Sequence, residues 1–145
     1  MFWWKRDGDI DVVLSYVAAL NARDAETMIA QLHPDIAFVD SHSFGFEGKK
    51  KCAEVVREFL RVASGFKMTV EAHVRHGQDI LVRGYTEADD PRMATDRLWK
   101  IRVKNGRICF WQNFGEADGP SLSHLLFPQT EFAQIDAAPQ SAAVT

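Results

Sequence analysis

Between residues 52 and 74 the apolar pattern changes its period, and that change limits what the chain can fold into. Cys52, Val55, Val56, Phe59, Leu60 and Ala63 recur at the spacing of one helix face. Lys51, Glu54, Arg57, Glu58 and Arg61 fill the other side. After Ser64-Gly65 the spacing becomes two: Phe66, Met68, Val70, Ala72 and Val74 alternate with Lys67, Thr69, Glu71, His73 and Arg75. Strand signals then continue. A turn at 76–79 leads to a strand over 80–86. A polar loop at 88–92 precedes a strand over 93–103, and Asn105-Gly106 is a strong hairpin signal before a return strand over 107–114.

Upstream, Asp9 is a candidate N-cap for a helix carrying Ile10, Val13, Leu14, Val17 and Leu20, with Tyr16 at the edge of that stripe. Asp24 can cap a second, short helix with Met28, Ile29 and Leu32 on one side. His33-Pro34 stops it, because the residue before a proline avoids the helical region. A short strand, 35–40, follows. The order of helix, helix, strand, helix and four hairpin-linked strands predicts an α+β fold: a curved antiparallel sheet wrapped around three N-terminal helices, with a pocket between the layers. The 145 residues divide into an N-terminal extension (1–8), one domain (9–115) and a C-terminal extension (116–145). Leu122, Leu125, Leu126 and Phe127 could dock on the body, and residues after about 134 read as a flexible tail.

The formal net charge of −3 argues against a nucleic-acid partner, which calls for a basic stripe. Lys49-Lys50-Lys51 is a solvated turn offset by Glu54 and Glu58. No apolar run reaches the length of a membrane span, and Met1-Phe2-Trp3-Trp4 is ended at once by Lys5-Arg6-Asp7, so neither a membrane anchor nor a secretory leader is expected. Cys52 and Cys109 lie in apolar patterns as unpaired core residues, which fits a reducing cytoplasm. No His, Cys and carboxylate spacing suggests a metal, and no glycine loop suggests a phosphate or dinucleotide, so no cofactor is expected.

The candidate chemistry gathers on three strands and one helix. Ile36, Phe38 and Asp40 share a strand face. Asp40 is either a strand-ending acid that caps the next turn or a carboxylate in an apolar pocket, where burial would raise its proton affinity. His42, two residues on, could contact Asp40 or a ligand, or lie in a surface loop. Tyr16 could bring a hydroxyl into the cavity or pack as a core aromatic. Strict alternation puts Arg97, Trp99 and Ile101 on one face, and Cys109, Trp111 and Asn113 on one face of the next strand. If these faces are concave, Trp99 and Trp111 line an aromatic pocket with Asn113 and Arg97 as polar contacts, suited to a planar hydrophobic molecule. The same strand period turns Asp96 to the face opposite Arg97.

Several motifs together resemble the SnoaL-like and ketosteroid-isomerase-like cone folds of the nuclear transport factor 2-like superfamily. They are Tyr16-Val17-Ala18-Ala19-Leu20-Asn21-Ala22-Arg23-Asp24, Leu32-His33-Pro34-Asp35-Ile36-Ala37-Phe38-Val39-Asp40, Gly45-Phe46-Glu47-Gly48 and Val103-Lys104-Asn105-Gly106-Arg107-Ile108. The resemblance implies a general base at Asp40 and an oxyanion donor at Tyr16, the pairing the ketosteroid isomerases use. It also implies a homodimer formed through the outer face of the sheet. The chain departs from the isomerases where their second, protonated acid stands, a position that falls near Trp99. The expected function is therefore cofactor-free acid/base chemistry of isomerase, cyclase or lyase type on a small hydrophobic carbonyl compound. A non-catalytic binding or scaffolding module of the same fold is the alternative. A hydratase or epoxide hydrolase, suggested by Asp96 and Arg97 side by side, is a weaker one.

Overall fold

The computed structural model describes residues 7–115, 119–132 and 134–135. Helix α1 (Gly8–Asn21) starts at Asp7, not Asp9: the Asp7 side chain accepts from the Asp9 N–H and caps the first turn. Helix α2 (Ala25–Ala30) is capped by Asp24 through the Thr27 N–H. It ends before Leu32, which opens strand β1 (Leu32–Val39) together with His33 and Pro34. A three-residue strand, β2 (Gly45–Glu47), follows the loop after β1, and α3 (Lys49–Val62) carries the strong apolar stripe. Strands β3 (Lys67–His76), β4 (Asp79–Glu87), β5 (Asp96–Lys104) and β6 (Arg107–Gly115) form the hairpin run, and a short helix α4 (Leu122–Leu126) comes last. Met93, read as the first residue of β5, instead ends a 3-10 turn, Pro91–Met93, that begins in the expected loop, and β5 starts at Asp96.

The six strands lie in the order β2-β1-β6-β5-β4-β3. The hairpins are antiparallel as expected, but β1 runs parallel to β6, so the sheet is mixed. A curved mixed sheet covered by helices is the α+β cone the chain's order calls for. Its core joins Val13, Val17 and Leu20 of α1, Val55 and Val56 of α3, and Ile36, Ile80, Val82, Ile101 and Ile108 of the sheet. Burial of such side chains, at roughly 25 cal/mol per Å², is what holds the two layers together. Polar bonds fix the seam between them. Asn21, at the end of α1, pairs with the Met68 backbone of β3 through both amide atoms, each at 2.8 Å. Arg23, with φ of 57°, reaches the carbonyls of Ala63 and Leu60 at the end of α3. Asp7 and Asp9 both hold Arg75 of β3.

Cys52 is buried, Cys109 is half-buried, and both are free thiols. No helix among the described residues is long and apolar enough to cross a membrane. Residues 1–6 lie outside the described residues, and so does the tail from 136, on which the expectation of flexibility falls.

Candidate active site

Between the helices and the concave sheet face lies a partly open cavity of about 100 Å³. A single water needs ~10–15 Å³ on such a measure, so there is room for a small organic molecule. Tyr16 and Leu20 of α1, Met28 of α2, and Val55, Val56 and Phe59 of α3 form one side. Phe38, Met68, Trp99 and Trp111 form the sheet side, and Leu122 and Leu126 of α4 close the end. Two polar side chains from the sheet reach the lining, Asp96 and Asn113.

Asp96 enters the cavity because β5 does not alternate strictly. Asp96 pairs with Gly115 and Leu98 with Phe114, so β5 carries one residue more than β6 between these pairs. Such a bulge turns the chain and re-aims the side chains before it. Beyond it, Trp99 and Ile101 point into the core as expected. Before it the faces exchange: Asp96 turns inward and Arg97 outward. The alternation reading, with Arg97 inside and Asp96 outside, is therefore reversed. Arg97 is exposed and donates to the carbonyls of Ala94 (3.0 Å) and Asp96 (2.8 Å). Gly115 makes the turn possible: a Cβ there would stand 3.0 Å from both Asp96 Oδ1 and the Thr95 carbonyl.

The amide of Asn113 fixes the Asp96 carboxyl. Trp111 Nε1–H donates to Asn113 Oδ1 at 2.9 Å, and Asn113 Nδ2 donates to Asp96 Oδ2 at 2.8 Å. An indole nitrogen only donates, so the amide has one orientation, and its N–H faces the carboxyl. Burial pushes the Asp96 pKa up from 3.8 to about 6; the Asn113 hydrogen bond opposes this, and the negative charge of Asp40 adds to it. Tyr16 packs on the Trp111 ring, centroids 5.1 Å apart, and burial pushes its phenol well above the usual range. Its hydroxyl keeps its proton and makes no hydrogen bond among the described residues.

Asp40 lies elsewhere. It is 4% exposed yet does not line the cavity. Its Oδ1 accepts from the backbone N–H of His42 (2.9 Å) and Phe44 (3.0 Å). Its Oδ2 accepts from Ser121 Oγ (2.5 Å) and the Ser123 N–H (3.0 Å). This is the turn-capping arrangement, extended to the C-terminal segment. His42 is drawn the same way: Nε2 donates to the Gly119 carbonyl at 2.6 Å, outside the cavity. Of the sequence candidates, Tyr16, Phe38, Trp99, Trp111 and Asn113 come together, while Asp40, His42 and Arg97 do not join them. Asp96 is the residue that strand period assigned to the wrong face. The one signal for it was a glycine at 115, opposite an acid at a strand end. Among the described residues no three His, Cys, Asp or Glu side chains gather as a metal would require.

Fold and site together are a helix-covered cone with an apolar cavity that holds one carboxyl and one anchored amide. The chain belongs to the SnoaL-like domain family, whose model matches residues 13–111, within the nuclear transport factor 2-like superfamily. No curated protein sequence matches it. Among solved structures it is similar to an LEH-like epoxide hydrolase from M. tuberculosis: 18% identity, 84% of this chain and 97% of that one, TM-score 0.67. It is also similar to a putative polyketide cyclase from Sinorhizobium meliloti (18% identity, 71% and 93%, TM-score 0.63). A third is a protein of ketosteroid isomerase-like fold from Catenulispora acidiphila, in complex with trimethylamine (13% identity, 75% and 88%, TM-score 0.64). At these identities the likeness is one of fold.

Proposed function

We propose that the protein performs acid/base chemistry on a small, uncharged, hydrophobic carbonyl compound, with Asp96 as the group that moves the proton. The observation that carries this reading is one carboxyl, its pKa raised to about 6, inside an aromatic cavity and oriented by Asn113. A base whose pKa lies near working pH combines a useful ionised fraction with useful strength. In this reading Asp96 takes the proton beside the carbonyl, the electron pair of the broken C–H bond becomes the C=C bond of an enolate, and the carbonyl π pair moves onto oxygen. The Tyr16 hydroxyl donates to the resulting enolate. Return of the proton at another carbon is an isomerisation; attack or elimination by the enolate gives cyclase or lyase chemistry. Asp96 takes the part the resemblance gave to Asp40, because both Asp40 oxygens are already engaged outside the cavity.

A second reading follows from the charge of the lining. Its residues include a carboxyl, a phenol, two indoles and three phenyl rings, and no Lys, Arg or His among the described residues. Aromatic faces around an acid also suit an organic ammonium ion, and the relative of ketosteroid isomerase-like fold binds trimethylamine. A thermal-shift screen on wild type and Asp96→Asn separates the two. Planar phenols mimic an enolate; in the first reading they stabilise wild type, and stabilise Asp96→Asn more because a like charge is gone. In the second, alkylammonium ions stabilise wild type and lose that effect in Asp96→Asn. No shift from either class would sink both. Oxygen from labelled water appearing in a product would instead indicate hydration or epoxide opening.

The homodimer implied by the resemblance remains part of this proposal. Val74, Tyr85 and Leu98 are exposed among polar neighbours, and sedimentation velocity measures whether two copies associate.

A further inference from the structure

We propose that Asp40 is the latch of a lid: residues 119–127 form a movable wall of the cavity, held shut through the Asp40 carboxylate, and ligand passes when that wall swings away. The proposal concerns access to the cavity and holds whichever chemistry Asp96 performs.

The wall has two unlike edges. Its inner edge is apolar: Leu122 and Leu126 face the cavity. Its outer edge is polar, and the bonds converge on the loop after β1. Asp40 Oδ2 accepts from Ser121 Oγ and the Ser123 N–H, and Oδ1 accepts from its own loop. Ser123 Oγ donates to the Phe44 carbonyl at 3.2 Å, and His42 Nε2 donates to the Gly119 carbonyl. Phe127 packs edge-on to Phe46, 5.4 Å between centroids. A helix of five residues has no stability of its own, so α4 keeps its place through contacts such as these, together with the His124 ring against Phe44 and Lys51 over Phe127. One side chain thus ties the loop to the wall at two points, and its loss also frees the loop N–H groups that shape the other anchors. Lids are built on such low-stability segments.

Asp40, Ser121 and His124 also form a line of acid, hydroxyl and imidazole. Ser121 Oγ lies 2.7 Å from His124 Nδ1. It is not a nucleophile's arrangement. The single Ser121 proton is given to Asp40, so His124 Nδ1 must donate to Ser121, and the hydroxyl also caps α4. The line is an extension of the latch.

Amide hydrogen exchange on the full chain tests this, comparing wild type, Asp40→Asn, Ser121→Ala and the double variant. In Asp40→Asn an NH₂ group replaces one acceptor and faces the Ser123 N–H. Exchange of amides in 121–127 should then rise about ten-fold or more, the scale of a lost bond to a charged group, while α1 and α3 keep wild-type rates. Ser121→Ala should show a smaller rise in the same segment. The double variant should exceed Asp40→Asn by less than the Ser121→Ala step alone, since both act through one bond. Wild-type exchange in 121–127 of folded Asp40→Asn overturns the proposal. So does a uniform rise across α1 and α3. If Asp40→Asn does not fold, unchanged exchange in Ser121→Ala overturns it.

Discussion

Two aspartates, Asp40 buried after β1 and Asp96 half-buried at the start of β5, stand on the two strands that flank β6 and meet opposite fates. Asp40 is surrounded by four donors and faces a loop and a lid. Asp96 has one donor on one oxygen and faces rings and thioethers. A charge that has lost water is stable where hydrogen bonds replace the water, and reactive where they do not. The count of donors, more than burial or strand position, separates the acid that builds from the acid that can work.

The largest expected effect falls on catalysis. Asp96→Asn should lower turnover of any substrate found by ~10²–10⁴-fold, the usual worth of a proton-transfer group. Steady-state kinetics check it. An equal loss in Asp40→Asn, with wild-type exchange in 121–127, would break the comparison. Stability should move in opposite directions. Asp40→Ala leaves buried N–H groups without an acceptor and should cost ~3 kcal/mol or more in denaturant unfolding. Asp96→Asn removes an unfavourable buried charge and should stabilise by about 1–3 kcal/mol above pH 6, since each pKa unit is ~1.4 kcal/mol.

The pH dependence sharpens this. The native protein holds the Asp96 proton up to about pH 6, while the unfolded chain releases it near 3.8. That proton's contribution to stability is full below 3.8 and is lost as pH rises through about 6. The gain from Asp96→Asn should accordingly vanish by pH 4, which melts across pH will show. Trp111→Phe frees the Asn113 amide from its one orientation and should cost about ten-fold in turnover with a small change in KM. Arg97→Ala should be nearly silent, within about 0.5 kcal/mol in stability, because its guanidinium bonds only exposed backbone.

Most of the fold was legible because period is a local property. The stripe from Cys52 to Ala63, the Asn105-Gly106 hairpin and the shared face of Trp99 and Trp111 all follow from side-chain spacing. The parallel contact of β1 with β6 did not, since it joins residues about seventy apart and leaves no local mark. β2 has three residues, too few for a pattern. Leu32 satisfied a helical spacing yet opened a strand, because Pro34 allows extended chain as readily as it stops a helix. In the site, Tyr16, Trp99, Trp111 and Asn113 were legible for the same local reason. Asp96 was not: one extra residue between Asp96 and Leu98 shifts the alternation, and the glycine at 115 is only an indirect sign of it. Two partners of Asp40, the N–H groups of His42 and Phe44, fall within the turn-capping reading; the other two were hidden in serines more than eighty positions away.

That extra residue has a consequence for how such cones diversify. An acid and a base stand next to each other at the mouth of β5, and the parity of the strand decides which one looks inward. Exchanging the two residues would present a guanidinium to the same ring-lined chamber and send the carboxyl out to water. The order of strands, the helices and the tryptophans would stand as before. The proposed preference for neutral or cationic guests would become one for anions. The order of two neighbouring residues at this bulge is therefore a short route between ligand chemistries on one unchanged scaffold.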